Sequence, residues 1–202
     1  PIVDAARIEP KLGGYGTAVA AALADPTPWQ EAQEYRRRAA ARMQPIEKKD
    51  LRGRLPAGEY HLSRKVDGEF TVVWFKDGQA VTVNPGGTVR VGLPVLAEIE
   101  KTLKKAGVRS ALIAGELYYR HEGGARPRVH DISRAARKPD SQADLDRLCF
   151  AVFDLIALDS GDGKALSTKF ADTFARISRL FAGGQRVHPV DSHIVKSVEE
   201  IE

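Results

Sequence analysis

Short apolar runs separated by turn residues dominate the chain from Leu51 onward. Glu59–Arg64 and Glu69–Phe75 read as strands, and Lys76-Asp77-Gly78-Gln79 reads as a tight hairpin turn into a third, Ala80–Asn84. Pro85-Gly86-Gly87 breaks that strand. The period then changes. Apolar residues at 93, 96, 99 and 103 mark a helix over Leu93–Lys105, with lysines gathered toward its C-terminal end and Gly107 to stop it. Ala111–Tyr119 and the longer run Leu148–Leu158 are two further strands. An amphipathic helix follows over Lys169–Ala182, with Phe170, Phe174, Ile177, Leu180 and Phe181 as its apolar set and Gly183-Gly184 at its end. Arg186–Val190 reads as a short strand. Strands first paired as hairpins and then separated by helices predict an α+β fold with a largely antiparallel sheet and flanking helices.

The first fifty residues carry a different pattern. The alanine-rich stretch Thr17–Ala24 reads as a short helix. Thr27-Pro28-Trp29-Gln30 reads as a helix start, with Thr27 as N-cap, Pro28 at the first helical position and Gln30 closing a capping box. That helix is expected to reach about Met43, and its Arg36, Arg37, Arg38 and Arg42 read as a solvated face, with nucleic-acid contact as the alternative. No repeat or low-complexity linker divides the chain. Residues 1–50 are therefore expected to form a helical lead-in, and residues 51–202 a mixed domain. At the far end, Ser197-Val198-Glu199-Glu200 reads as an N-cap and capping box, so a helix is expected to be starting there.

Composition narrows the class without naming a function. At 202 residues, 43% hydrophobic and 29% charged, the chain is an ordinary globular one that can bury a core. No apolar run approaches the roughly 20 residues needed to span a bilayer, and no secretory h-region lies near Pro1. The expected location is the cytoplasm. The single Cys149 lies inside an apolar run, which predicts a buried thiol and excludes an intrachain disulfide or a Cys-based metal site. The net charge is +4, and Arg120, Arg126, Arg128, Arg134, Arg137 and Lys138 against Glu122 and Asp131 account for all of it. Such a segment is either the footprint of a polyanion partner or a solvated arginine-rich loop.

Chemistry concentrates in three short segments. In Ser63-Arg64-Lys65-Val66-Asp67-Gly68-Glu69-Phe70, a lysine sits at a strand end and a glycine beside it permits close approach of backbone. The plainer reading is a D-G turn between hairpin strands with Lys65 as a solvated flank. The second segment is Leu112-Ile113-Ala114-Gly115-Glu116-Leu117 and the third is Phe150-Ala151-Val152-Phe153-Asp154-Leu155. Each places charge in an otherwise buried strand, which costs several kcal/mol unless a ligand, metal or partner compensates.

In order and spacing these segments resemble the nucleotidyltransferase (adenylation) domain of ATP-dependent DNA ligases, within the wider group that includes RNA ligases and mRNA-capping guanylyltransferases. The family's K-x-D-G-x-R is matched by Lys65-Val66-Asp67-Gly68-Glu69, its D-G-E strand by Gly115-Glu116, and its aromatic-acid strand by Phe153-Asp154-Leu155. More loosely, Met43-Gln44-Pro45-Ile46 looks like the short element that precedes the lysine strand. The resemblance runs from about Met43 to Asp159.

It implies an ATP-grasp-like fold and a lysine, Lys65, that attacks the α-phosphate of ATP to carry AMP covalently. The AMP then activates a 5′-phosphate for nick sealing. By the same resemblance Asp67 is a polar group near the AMP and the nick, Phe153 stacks on adenine, and Glu116 holds the ribose or Mg²⁺. Ser63, Arg64 and Gly68 complete the nucleotide site. Arg120, Arg126, Arg128, Arg134, Arg137 and Lys138 would contact the backbone of nicked double-stranded DNA, or RNA, and the protein would act as a monomer away from membranes.

The departures bear on substrate class. Phe70 stands where the family has arginine, and Asn84-Pro85-Gly86-Gly87 stands where it has a serine-arginine-x-glycine loop. Ala114 replaces the acid before Gly115, and Ser63 replaces a glutamate. Arg64 and Arg90 are the candidates to take over. The alternatives are an RNA ligase or capping-type enzyme, and a binding module that keeps the fold without catalysis. Two downstream family motifs, an E-G turn and a lysine pair that grips the ATP phosphates, are not found after Asp159. The 202 residues are therefore expected to be a fragment that forms the Lys65 adduct slowly or not at all alone.

Overall fold

In the computed structural model, which describes residues 1–126, 128–161 and 165–201, one large sheet runs through the middle of the chain. In chain order the elements are β1 (Glu9–Pro10), β2 (Gly16–Val19), α1 (Thr27–Arg42), α2 (Leu51–Arg54) and β3 (Tyr60–Ser63). Then come β4 (Glu69–Lys76), β5 (Gln79–Val83), β6 (Thr88–Val91), α3 (Pro94–Lys105) and β7 (Ser110–Tyr119). The rest are α4 (Val129–Arg137), α5 (Gln142–Asp146), β8 (Leu148–Asp159), α6 (Phe170–Phe181), β9 (Val187–Pro189) and β10 (Ser192–Val195). The large sheet has the order β1-β2-β6-β5-β4-β7-β8-β9, antiparallel throughout except for β8 with β9.

Both faces of this sheet are covered, and the alternation along β4 shows how. Val73 and Phe75 point into a core with Leu96, Ile99 and Leu103 of α3, Ile132 of α4, and Ile177 and Phe181 of α6. Val72 and Trp74, one residue out of phase, point the other way into a core with Val81, Val83, Val89 and Ala32 of α1. A strand buried on both faces reads as a continuous apolar run, which is why Val72–Phe75 shows no polar residue. The turn from β4 to β5 uses Asp77 and Gly78 at φ 50° and 83°, the left-handed pair that a two-residue hairpin requires. Helix α3 ends in a Schellman arrangement: Gly107 N–H donates to the Lys104 carbonyl and Val108 N–H to that of Leu103.

Several sequence expectations are overturned. Thr17–Ala24 is not a helix, and the first fifty residues are not a purely helical lead-in. Residues 16–19 pair with β6, from Gly16 opposite Val91 to Val19 opposite Thr88, and only Ala20–Ala22 turn helically, as a 3-10 turn. Alanine's helix preference is worth only tenths of a kcal/mol per residue, and satisfying the edge of β6 outweighs it. At α1, Pro26 rather than Thr27 is the N-cap and the capping box does not form, because the Asp25 carboxylate accepts the Thr27 N–H at 2.9 Å. Strands β3 and β4 are not a hairpin. β3 pairs instead with β10 in a separate two-stranded sheet. The basic segment contains α4, whose Ile132, Ala135 and Ala136 are buried, rather than being a loop. Around Ser197–Glu200 the chain makes a turn, not a helix: the Glu200 carboxylate accepts from Lys196 N–H and Ile201 N–H donates to the Val198 carbonyl. Cys149 is buried, as expected. Among the described residues no helix is long and apolar enough to cross a membrane.

Candidate active site

The lysine loop is held by three elements. β10 pairs with β3 so that Ser192 lies opposite Ser63, and Arg64 N–H donates to the Asp191 carbonyl at 3.2 Å. Beyond Lys65 the chain turns back toward the large sheet and enters β4 at Glu69. Gly68 makes that entry possible: a Cβ there would lie 2.3 Å from the Leu117 carbonyl oxygen and 2.8 Å from Glu116 Cγ. Its N–H donates to Glu116 Oε1 at 3.2 Å. The glycine thus lets the lysine loop lie directly on the strand that carries Glu116, so the two segments are fixed against each other.

Phe153 is delivered by a β-bulge. Gly115 lies opposite Val152 and Ala114 opposite Asp154, so Phe153 has no partner on β7 and the strand kinks there. Gly115 is needed at the kink, since a Cβ would fall 2.4 Å from Phe150 Cζ. The ring of Phe153 joins Phe70 of β4, centroids 6.1 Å apart and planes within 23°, and Phe70 stacks on Tyr35 of α1 at 5.5 Å. The Tyr35 hydroxyl donates to Asp154 Oδ2 at 2.9 Å, and burial together with that carboxylate raises its pKa.

These side chains enclose a cavity of about 640 Å³. Its walls are Tyr35, Arg36, Ala39, Ala40 and Met43 on one side, Phe70, Glu116 and Phe153 on another, and Ser63, Arg64, Lys65, Val66 and Val190 at the mouth. Inside it, Glu116 is the electrostatic outlier. Burial pushes its carboxyl up to about 7, against the opposing pull of the Gly68 N–H and Lys65. Lys65 itself is 82% exposed, its Nζ 3.0 Å from Asp67 Oδ1. Arg126 Nε donates to the other Asp67 oxygen at 2.8 Å. Hydrogen bonds from Lys65 and Arg126 hold the Asp67 carboxyl below the usual carboxylate range.

The structure therefore brings Ser63, Arg64, Lys65, Glu116 and Phe153 to one cavity, with Gly68 packed beneath it and Asp67 on its rim beside Arg126. The rest of the basic segment is dispersed. Arg134 lies over the Tyr119 ring, 5.5 Å from its centroid, and reaches Asp144 at 3.4 Å. Arg128 and Lys138 sit at the two ends of α4, and Arg137 lines a different cavity together with Arg90. Arg90, considered as a stand-in for the missing family arginine, is buried and held by both oxygens of Glu69 at 2.5 and 3.1 Å. Arg64 does line the lysine cavity. Sequence reasoning missed Tyr35 and the role of Phe70 as a wall. Tyr35, Ala39 and Met43 recur every four residues, a helical stripe obscured by the arginines around it.

The sequence matches no protein-family model and no curated protein. Solved structures share its fold. Over 85% of this chain and 40% of the other, Pmar-Lig_PreS3 superposes at a TM-score of 0.53 with 13% identity. The ligase domain of LigD from M. tuberculosis superposes at 0.51 with 19% identity, over 73% of this chain and 45% of that one. The chain thus has the mixed α/β fold of ligase nucleotidyltransferase domains, antiparallel-rich with flanking helices. It spans less than half the length of these two structures.

Proposed function

We propose that this chain is the adenylation part of an ATP-dependent polynucleotide ligase, with Lys65 as the nucleophile. The observation that carries this reading is convergence. Lys65, Glu116 and Phe153, from three elements far apart in sequence, meet at one cavity large enough for a nucleotide. In this reading the adenine lies against Phe153, with Phe70 and Tyr35 as further aromatic walls, and Glu116 meets the ribose hydroxyls. Lys65 Nζ attacks the α-phosphorus of ATP: the N–P bond forms, the P–O bond to pyrophosphate breaks, and the lysine proton is lost to solvent.

A lysine attacks only when neutral, and at a reference pKa of about 10.4 only about one in a few thousand is neutral near pH 7. In the free chain the ammonium is largely exposed and faces Asp67. Desolvation and a cation must therefore arrive with the nucleotide. Asp67 acts as a positioning residue that keeps Nζ at the mouth of the cavity. Among the described residues no group of three or more His, Cys, Asp or Glu side chains gathers to hold a metal. Mg²⁺ would rely on the nucleotide phosphates and water, with Glu116 as the one carboxylate on the cavity wall. It would supply charge neutralisation of the leaving pyrophosphate.

Nicked double-stranded DNA is the proposed partner of the activated lysine. An RNA substrate is the second reading, favoured by Phe70 and by the arginine-free Asn84–Gly87 loop. The test is mass spectrometry of the full-length protein after incubation with ATP and Mg²⁺. One added AMP is expected, lost in a folded Lys65→Ala variant. An adduct that survives that change sinks the assignment, and ATP binding without any adduct selects a non-catalytic module.

A further inference from the structure

Lys65 stands on a ridge between two cavities of opposite chemistry. One is the aromatic cavity already described. The other, about 220 Å³, has Arg64, Arg120 and Arg126 in its wall together with His121 and His188. Among the described residues, Asp67 and Asp191 are the carboxylates that line it. The three arginines come from separate parts of the fold: Arg64 follows β3, Arg120 follows β7, and Arg126 precedes α4. Gathering three guanidinium groups around one concavity is unfavourable by itself and favours capture of an anion.

The back wall is neutral and fixed. His188 Nδ1 lies 2.7 Å from the Pro189 carbonyl, which can only accept, so Nδ1 carries the proton. Nε2 is then free to accept from the Tyr118 hydroxyl at 2.7 Å. Positive charge in the cavity therefore comes from the arginines. Arg120 reaches only the Tyr118 hydroxyl, at 3.4 Å, and Arg126 is 71% exposed apart from its contact with Asp67. Both retain donors for an incoming group. Arg134 and Arg137, by contrast, point elsewhere, so the surplus charge of the segment is not one continuous stripe.

We propose that this second cavity is a phosphate subsite, held by Arg120 and Arg126 on the side of Lys65 away from the aromatic cavity. Its place in catalysis rests on the reading of Lys65 as nucleophile, but phosphate binding there does not require the reaction. Two sources supply that chemistry: the terminal 5′-phosphate of a polynucleotide, or the polyphosphate tail of the nucleotide. As Arg126 turns to the phosphate, Asp67 is left to Lys65 alone, which couples occupancy of the subsite to the position of the nucleophile.

The experiment uses the full-length protein without ATP. Fluorescence anisotropy compares two nicked duplexes that differ only in a 5′-phosphate or 5′-hydroxyl at the nick, and titration calorimetry measures inorganic pyrophosphate. The expected result is that one of these phosphates binds at least about tenfold better than its control, since charge-assisted hydrogen bonds are worth that much. The double variant Arg120→Ala, Arg126→Ala should erase the gain. A gain confined to the 5′-phosphate assigns the subsite to the polynucleotide strand, and one confined to pyrophosphate assigns it to the nucleotide tail. If the alanine pair unfolds, Arg120→Lys with Arg126→Lys decides, because lysine keeps the charge but loses the planar fork. That pair should recover only part of the discrimination, and full recovery overturns the proposal. Unchanged binding in a folded alanine pair also overturns it, as does an equal loss in an Arg134→Ala, Arg137→Ala control. Lys65→Ala should keep the discrimination. If no lysine adduct forms yet the arginines still select phosphate, the ligase reading fails and the subsite stands. If the adduct forms and the arginines are immaterial, the reverse holds.

Discussion

Replacing Glu116 by glutamine should stabilise the protein at alkaline pH while impairing its chemistry. The carboxyl titrates near 7 in the folded chain against 4.5 when unperturbed, because burial disfavours its charged form. That gap corresponds to roughly 3 kcal/mol at 1.36 kcal/mol per pH unit. Glu116 is only half-buried, so solvent screening reduces the effect to about 1–2 kcal/mol. The sign follows from which state holds the proton more tightly. Here the folded chain does, so the penalty is fully present above pH 7 and vanishes below about 4.5. Glutamine carries no charge to desolvate and can still accept from Gly68 N–H. The Glu116→Gln variant should therefore melt about 2–8 °C higher at pH 8.5, with the difference closing by pH 4.5. Melting both proteins from pH 4 to 9 cancels the other carboxylates, which titrate equally in each. A pH-independent difference, or a loss of stability at pH 8.5, would refute the assignment of that penalty to burial. The same variant should form less lysine adduct, so stability and activity move in opposite directions.

Two further substitutions probe other parts of the site. Phe153→Ala should weaken nucleotide binding by about 1–3 kcal/mol, the range for a base stacked on an aromatic ring. Unchanged affinity with a lower melting temperature would make Phe153 a core residue instead. Glu69→Ala leaves the buried Arg90 cation without its bidentate partner and should cost about 3 kcal/mol, the low end for a broken buried pair because Glu69 is 26% exposed. Urea unfolding reads this directly, and adding Arg90→Met should recover most of the loss. A double variant no more stable than Glu69→Ala alone would contradict that account.

The sheet was legible where local signals agree with tertiary ones. Asp77-Gly78 dictates its own hairpin, and the apolar period from Leu93 to Leu103 matches the buried face of α3. The misses have physical causes. Residues 16–19 are strand only because β6 offers an edge to pair with, which no local window contains. Helix α4 did carry a helical stripe, Ile132, Ala135 and Ala136, but counting charge along the segment hid it. At the site, Lys65, Glu116 and Phe153 were readable because each combines a charge or an aromatic with an apolar strand. Tyr35 was not, since its place depends on how α1 crosses the sheet. Strand β10 gives almost no signal, being four residues long with Ile194 half exposed.

That unremarked strand has a consequence for how the protein comes into being. The ladder that holds the residues before Lys65 joins Tyr60 to Val195 and Ser63 to Ser192, the partners lying more than a hundred residues apart. During synthesis the large sheet up to β7 can assemble as its strands emerge, but the arm carrying Lys65 has no partner until residues 192–195 clear the ribosome. Closing so long a loop is also a slow step for a chain refolding from denaturant. The nucleophile is thus set in place late in either route, and a ribosome-bound chain shorter than about Val195 should carry a formed sheet and an unanchored lysine.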